Sequence, residues 1–179
     1  MVTRAIKSPT VPRSLATPTD LDPEAVQAVA EAVNPLIADA FALYLKCKNF
    51  HWHLTGPHFR DYHLLLDEQA DSALASIDPL AERIRRIGGT TLRSVGQVGR
   101  LQTIEDDNDE LVPAQQMLLR LLDDNRKMAE QQRAAIEVCD DHDDTPTGNV
   151  LQEILDQTEK RIWFLFEASR TGREAAEER

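Results

Sequence analysis

From about residue 22 to residue 167 the chain is a succession of apolar residues at helical spacing, and nowhere does it alternate as a strand would. This confines it to an all-α architecture. Composition agrees, with few glycines (7 of 179 residues) and few aromatics (5%). The pattern begins at Asp22-Pro23, a good helix start, and runs through AVQAVAEAVNPLIADAFALYLKCKNFHWHL to Thr55-Gly56-Pro57. Asn34-Pro35 predicts a kink or a fresh start inside that run. A second helix is predicted from His58 to Ile87, bent at Pro79 and stopped by Gly88-Gly89. A polar connection holding one short helical turn follows. A third helix is expected over Pro113–Val138, then an acidic loop, CDDHDDTPTGN, and a fourth helix over Val150–Glu167. Four long helices with one long connection between the second and third make a four-helix bundle with a crossover. The predicted organisation is a flexible N-terminal tail over 1–21, a bundle over 22–168 and a charged C-terminal tail over 169–179.

A hydrophobic fraction of 41% in 179 residues suffices for one buried core. The formal net charge of −11 suits cation attraction and argues against a surface devoted to nucleic acid, whose affinity comes from Lys and Arg on phosphates. Cys47 and Cys139 belong to no metal-binding spacing and no disulfide-dense framework, so packed, reduced thiols and a cytoplasmic location are expected. No secretory leader and no run of 18 apolar residues is evident, and no membrane span is predicted.

The second helix carries the chemistry. At 100° per residue, His63, Asp67, Asp78 and Glu82 fall within roughly a 100° arc, together with Asp71 and Leu74. Carboxylates and an imidazole directed at other protein are costly unless something neutralises them, and a metal ion does so. The alternative is a solvated face, with His63 and Asp67 a surface pair and Asp78 and Glu82 partnered by Arg83 or Arg86. Asp67 and Asp78 are eleven residues apart, roughly 16 Å along a helix, too far to share an ion within one chain. A two-fold neighbour would bring His63 and Asp67 of one chain beside Asp78 and Glu82 of the other. No histidine has Glu three residues before it, so the Glu-x-x-His motif of a di-iron centre inside one bundle is missing.

The run KNFHWHLTGPHFRDYHLLLDEQADSALASIDPLAERIRRIGG resembles the signature of the Dps mini-ferritins: HW, a second His twelve residues after the first, Asp four on, Asp eleven on, Glu four more, then AER and GG. The likeness is specific over residues 46–89 and looser over about 25–167. It implies an all-α, ferritin-like four-helix bundle assembled into a hollow homo-dodecamer of two-fold dimers. It implies ferroxidase centres between subunits, with His51, His63 and Asp67 from one chain and Asp78 and Glu82 from the other. It implies oxidation of Fe(II) by hydrogen peroxide and storage of ferric iron inside the shell. In such a centre the three carboxylates are hard donors suited to Fe(II) and Fe(III), the imidazoles hold Fe(II), and Glu82 is expected to bridge.

Around that core four readings stay open. Trp52 either packs as an ordinary aromatic or quenches radicals at the site, and Trp163 is read the same way. Asp71 is a surface acid or holds iron in transit. The acidic run Asp140, Asp141, His142, Asp143 and Asp144 is a plain turn or a lining for iron entry, and TPTGN after it departs from the commonest family pattern. His53 and His58 read as ordinary, partly exposed histidines. The resemblance also raises DNA compaction with secondary iron binding. Three tail cations, Arg4, Lys7 and Arg13, set against a charge of −11 predict DNA contact that is weak and salt-sensitive.

Overall fold

The computed structural model describes residues 11–170. They form six α-helices: α1 (Pro23–His53), α2 (Phe59–Ala75), α3 (Ile77–Arg86), α4 (Val95–Leu101), α5 (Ala114–Asp141) and α6 (Thr145–Ser169). α1, the α2–α3 pair, α5 and α6 make the predicted bundle, and the long connection between α3 and α5 carries α4 across α1. Residues 1–10 and 171–179 of the two predicted tails lie outside the described residues. Before α1 the chain makes a 3-10 turn, Arg13–Leu15, and the Leu15 carbonyl accepts from the Arg85 guanidinium at 2.6 Å.

Proline acts differently at the two places. α1 makes no fresh start at Asn34-Pro35 and runs through it as one helix. Pro35 removes one backbone bond, but Val29, Val33, Leu36 and Ile37 on both sides of it are buried in one core cluster. The Asn34 amide also donates to the Thr90 carbonyl at 3.1 Å. The predicted second helix, in contrast, is not merely bent: it divides at Ser76. Pro79 has no N–H to offer the Ala75 carbonyl and its ring crowds that carbonyl, so the helix stops one turn upstream. There both the Ser76 amide (3.2 Å) and its hydroxyl (2.7 Å) donate to Ala73.

The Gly88-Gly89 stop is as expected. Gly89 N–H reaches Ile84 O (3.0 Å) and Gly88 N–H reaches Arg85 O (3.2 Å), with Gly88 left-handed at φ +86°. A Cβ on Gly88 would also stand 2.8 Å from the Thr17 carbonyl.

The predicted eleven-residue acidic loop is another correction. Cys139, Asp140 and Asp141 finish α5, Thr145–Asn149 already belong to α6, and only residues 142–144 turn the chain. Asp143 takes the left-handed position (φ +56°), and Asp144 caps α6 by accepting from the Thr147 amide and hydroxyl.

Two buried clusters fill the bundle. One gathers Leu43, Cys47, Phe50, Leu66, Met117, Leu121 and Leu165; the other Val33, Leu36, Leu80, Ile84, Cys139 and Leu151. The first contains a buried guanidinium. Arg161 donates to Asn125 Oδ1 (2.8 Å), Ser72 Oγ (2.9 Å) and Thr158 Oγ1 (2.8 Å), tying α2, α5 and α6 together. Burial pushes its pKa down to about 10. By length and composition α1 could cross a bilayer, but its apolar residues are the core of this bundle.

Candidate metal centre

The tight passage from α1 to α2 through Thr55-Gly56-Pro57 folds the last turn of α1 back on the second turn of α2. His51 and His63 therefore stack, ring centroids 3.6 Å apart and planes 21° from parallel. Each imidazole bonds the other residue's backbone: His51 Nδ1 to His63 O at 2.8 Å, and His63 Nδ1 to His51 O at 3.1 Å. A carbonyl oxygen can only accept, so both Nδ1 atoms carry the proton. In the neutral imidazoles each Nε2 is then the lone-pair nitrogen, the tautomer a metal ligand requires; among the described residues neither Nε2 makes a hydrogen bond, and the rings are held by backbone. Phe59 covers the outer face of His63 at 5.1 Å.

Asp67 sits one turn beyond His63 on α2, its Oδ1 4.0 Å from His51 Nδ1. The two imidazoles of the predicted set are thus brought together within one chain, with the Asp67 carboxylate beside them but not close enough for the three to hold an ion by themselves. Asp78 and Glu82 do not join them. They lie beyond the Ser76 break on α3, both exposed, and Glu82 carries Arg86 at 2.6 Å. Among the described residues, no three or more His, Cys, Asp or Glu of a single chain gather closely enough to hold an ion.

Lys48 is the residue that sequence reasoning missed. It lies one turn before His51 on α1, and its Nζ donates to Asp67 Oδ1. That bond raises the Lys48 pKa and lowers that of Asp67. Its helical spacing from His51 was the available signal; the opposing carboxylate became visible only once α1 and α2 were folded together. Asp71, one turn past Asp67, is exposed and is a further acid whose charge raises the Lys48 pKa.

The remaining candidates separate clearly. Trp52 is 63% exposed on the chain, and Trp163, 60% exposed, meets Phe164 edge-on at 5.3 Å. His53 bonds its own helix at Asn49 O (2.8 Å), and His58 lies beside Tyr62. Asp140, Asp141 and Asp143 face outward, but Asp144 is buried and paired with Arg83 at 2.7 Å, so it presents no charge to an entering cation.

A ferritin-like domain matches residues 30–173 of the chain. The DNA protection during starvation protein of Brevibacillus brevis is 31% identical over 139 residues, covering 78% of this chain and 93% of the relative. The chain belongs to the Dps family of ferritin-like proteins. The Dps structures bear this out. DpsC from Streptomyces coelicolor superimposes with a TM-score of 0.85 at 28% identity, covering 94% of this chain and 97% of that one. The Dps protein of Vibrio cholerae O1, described as a member of a broad superfamily of ferritin-like diiron-carboxylate proteins, gives a TM-score of 0.80 at 25% identity, covering 87% and 98%. The all-α, ferritin-like bundle expected from the sequence is thereby established for this Dps-family chain.

Proposed function

We propose that this chain is a mini-ferritin that oxidises Fe(II) at centres shared between two copies and stores the ferric product in a shell. The observation that carries this reading is the divided donor set. His51 and His63 stack at the α1–α2 turn with Asp67 beside them and each Nδ1 occupied by a backbone carbonyl, which leaves Nε2 of the neutral ring for a metal, while Asp78 and Glu82 stand exposed one helix away. A two-fold neighbour placing its Asp78 and Glu82 over the histidine pair would complete a set of two imidazoles and three carboxylates, suited to iron held first as Fe(II) and then as Fe(III).

The residues divide the work. The stacked imidazoles orient one ferrous ion without rearrangement, because backbone carbonyls fix their rings. Asp67 and Asp78 supply charge from opposite sides of the interface, and Glu82, once free of Arg86, reaches between metal positions. Hydrogen peroxide is the proposed oxidant: two ferrous ions each give one electron, the O–O bond breaks, and both oxygens leave as water or ferric oxide rather than as hydroxyl radical. The proposed assembly is a dodecamer of two-fold dimers, in the cytoplasm. DNA protection belongs to the name of the Brevibacillus relative. At a net charge of −11 per chain, we place DNA contact here as weak and salt-sensitive.

The test is Fe(II) oxidation by peroxide in an Asp78→Ala, Glu82→Ala variant whose assembly is intact by light scattering. Oxidation should fall by a hundredfold or so, on the scale of losing metal-binding groups. Oxidation at the parent rate would remove these two residues from the site.

A further inference from the structure

Beside a cation site, an ammonium is out of place. Lys48 Nζ is bonded to Asp67 Oδ1, a carboxylate proposed above to bind iron, and His51 lies one turn along the same helix. An ion held by Asp67 and His51 would meet that ammonium across a single carboxylate, and like charges at such range repel. The ammonium therefore has to leave as the ion arrives, and on a half-buried stem it needs an anion to go to. Lysine can make the move, because its charge rides on four rotatable carbons.

Asp71 is where that anion stands. It follows Asp67 by one turn on α2, so both carboxylates share a face, and its charge already acts on Lys48. Asp71 is exposed, and among the described residues it makes no hydrogen bond or ion pair of its own. We propose that Lys48 is a placeholder cation: its ammonium neutralises Asp67 in the metal-free protein and passes to Asp71 when a divalent ion takes Asp67. The inference rests on the intersubunit site proposed above and adds a positioning pair to it. Lys48 would keep the carboxylates from repelling one another while no metal is bound, and Asp71 would act on iron only through Lys48.

A double-mutant cycle separates this from plain charge attraction by Asp71. Co(II), which air does not oxidise in simple complexes, is titrated calorimetrically into the assembled protein and into Lys48→Met, Asp71→Asn and the double variant. Lys48→Met keeps the stem and should tighten Co(II) binding by about tenfold. Asp71→Asn should weaken it about fivefold with Lys48 present and less than about twofold in the Lys48→Met background, a coupling of at least about 2.5-fold, at the low end of the range for neighbouring residues. An equal loss in both backgrounds, or no tightening in Lys48→Met, would overturn the handover. The Asp78→Ala, Glu82→Ala variant tells the two failures apart. Unchanged Co(II) affinity there overturns the shared site and the handover with it, whereas lost affinity there combined with an equal Asp71→Asn effect in both backgrounds overturns the handover alone.

Discussion

Cys47 and Cys139 are fully buried, and burial pushes each thiol up to about 12. At Cys47 the Arg161 guanidinium works in the opposite direction and loses; at Cys139 the charges of Asp144 and Asp140 add to the rise. Since the thiolate is the reactive form, both cysteines should resist a thiol reagent such as DTNB at pH 8 in the native protein and react fully only after unfolding. Below the unfolded thiol pKa of 9.0 the groups are protonated in both states; above it the unfolded chain loses protons that the folded chain retains. Stability should therefore fall from about pH 9 towards 12, and replacing both cysteines by Ala should flatten that part of the profile. Rapid DTNB labelling of the native protein would contradict the burial. The predicted packed, reduced thiols were legible in the sequence because nothing near them made a metal or disulfide pattern. The neighbourhood of His63 and Asp67 was readable from their spacing on one helix, whereas His51 entered only through the family resemblance, since the turn at Thr55-Gly56-Pro57 is what brings its ring to His63. Lys48 was not: a lysine at the edge of an apolar helix reads as solvated, and only the fold at Thr55-Gly56-Pro57 brings Asp67 within its reach.

At the scale of elements, the sequence located helices better than their ends. Gly88-Gly89 announced the end of α3 because a left-handed residue is needed there and glycine accepts that conformation freely. The ends of α5 and α6 were misplaced because the left-handed position is filled by Asp143 instead, and because Asp144 followed by Thr145-Pro146-Thr147 is a helix start resembling an acidic loop. That start is also a tether. Asp144, 1% exposed, accepts from Arg83 on α3 and from Thr147 on α6, so one carboxylate joins the helix that carries Asp78 and Glu82 to the α5–α6 turn. Asp144→Ala removes a helix cap and strands a largely buried guanidinium, which together should cost about 3 kcal/mol. Urea unfolding should show it as a lower midpoint with unchanged slope. Asp144→Asn, which keeps the cap and one acceptor for Arg83, should recover more than half of the loss. Equal losses in the two variants would mean that charge, not capping, dominates.

The whole molecule has a face that one copy leaves uncovered. α1 and α4 border a groove lined by Phe41, Leu45, Val95 and Val98. On α1, Phe41, Leu45, Lys48 and Trp52 fall within roughly 60° of one another around the helix, so a single stripe runs from that groove to the histidine pair. Leu45 is 58% exposed and Trp52 63%, and across the groove on α4 Val95 is 86% exposed. Periodicity alone could not reveal this stripe, because a residue covered by the bundle and one covered by a second copy have the same apolar signature. A neighbour seated on the stripe would lie directly beside His51 and His63, where the second pair of carboxylates is needed. Assembly and iron oxidation should then fail together. Leu45→Glu places a charge in the middle of that contact and, with the exposed apolar area no longer covered, should weaken each two-fold contact by several kcal/mol. Light scattering on the parent protein should give roughly twelve times 20.2 kDa, and on the variant a mass of one or two chains with unchanged helical content. Peroxide-driven Fe(II) oxidation should drop with the mass even though every proposed ligand is intact. A variant that stays small yet oxidises iron at the parent rate would mean that one chain suffices for the chemistry, and the division of donors between two copies would be wrong.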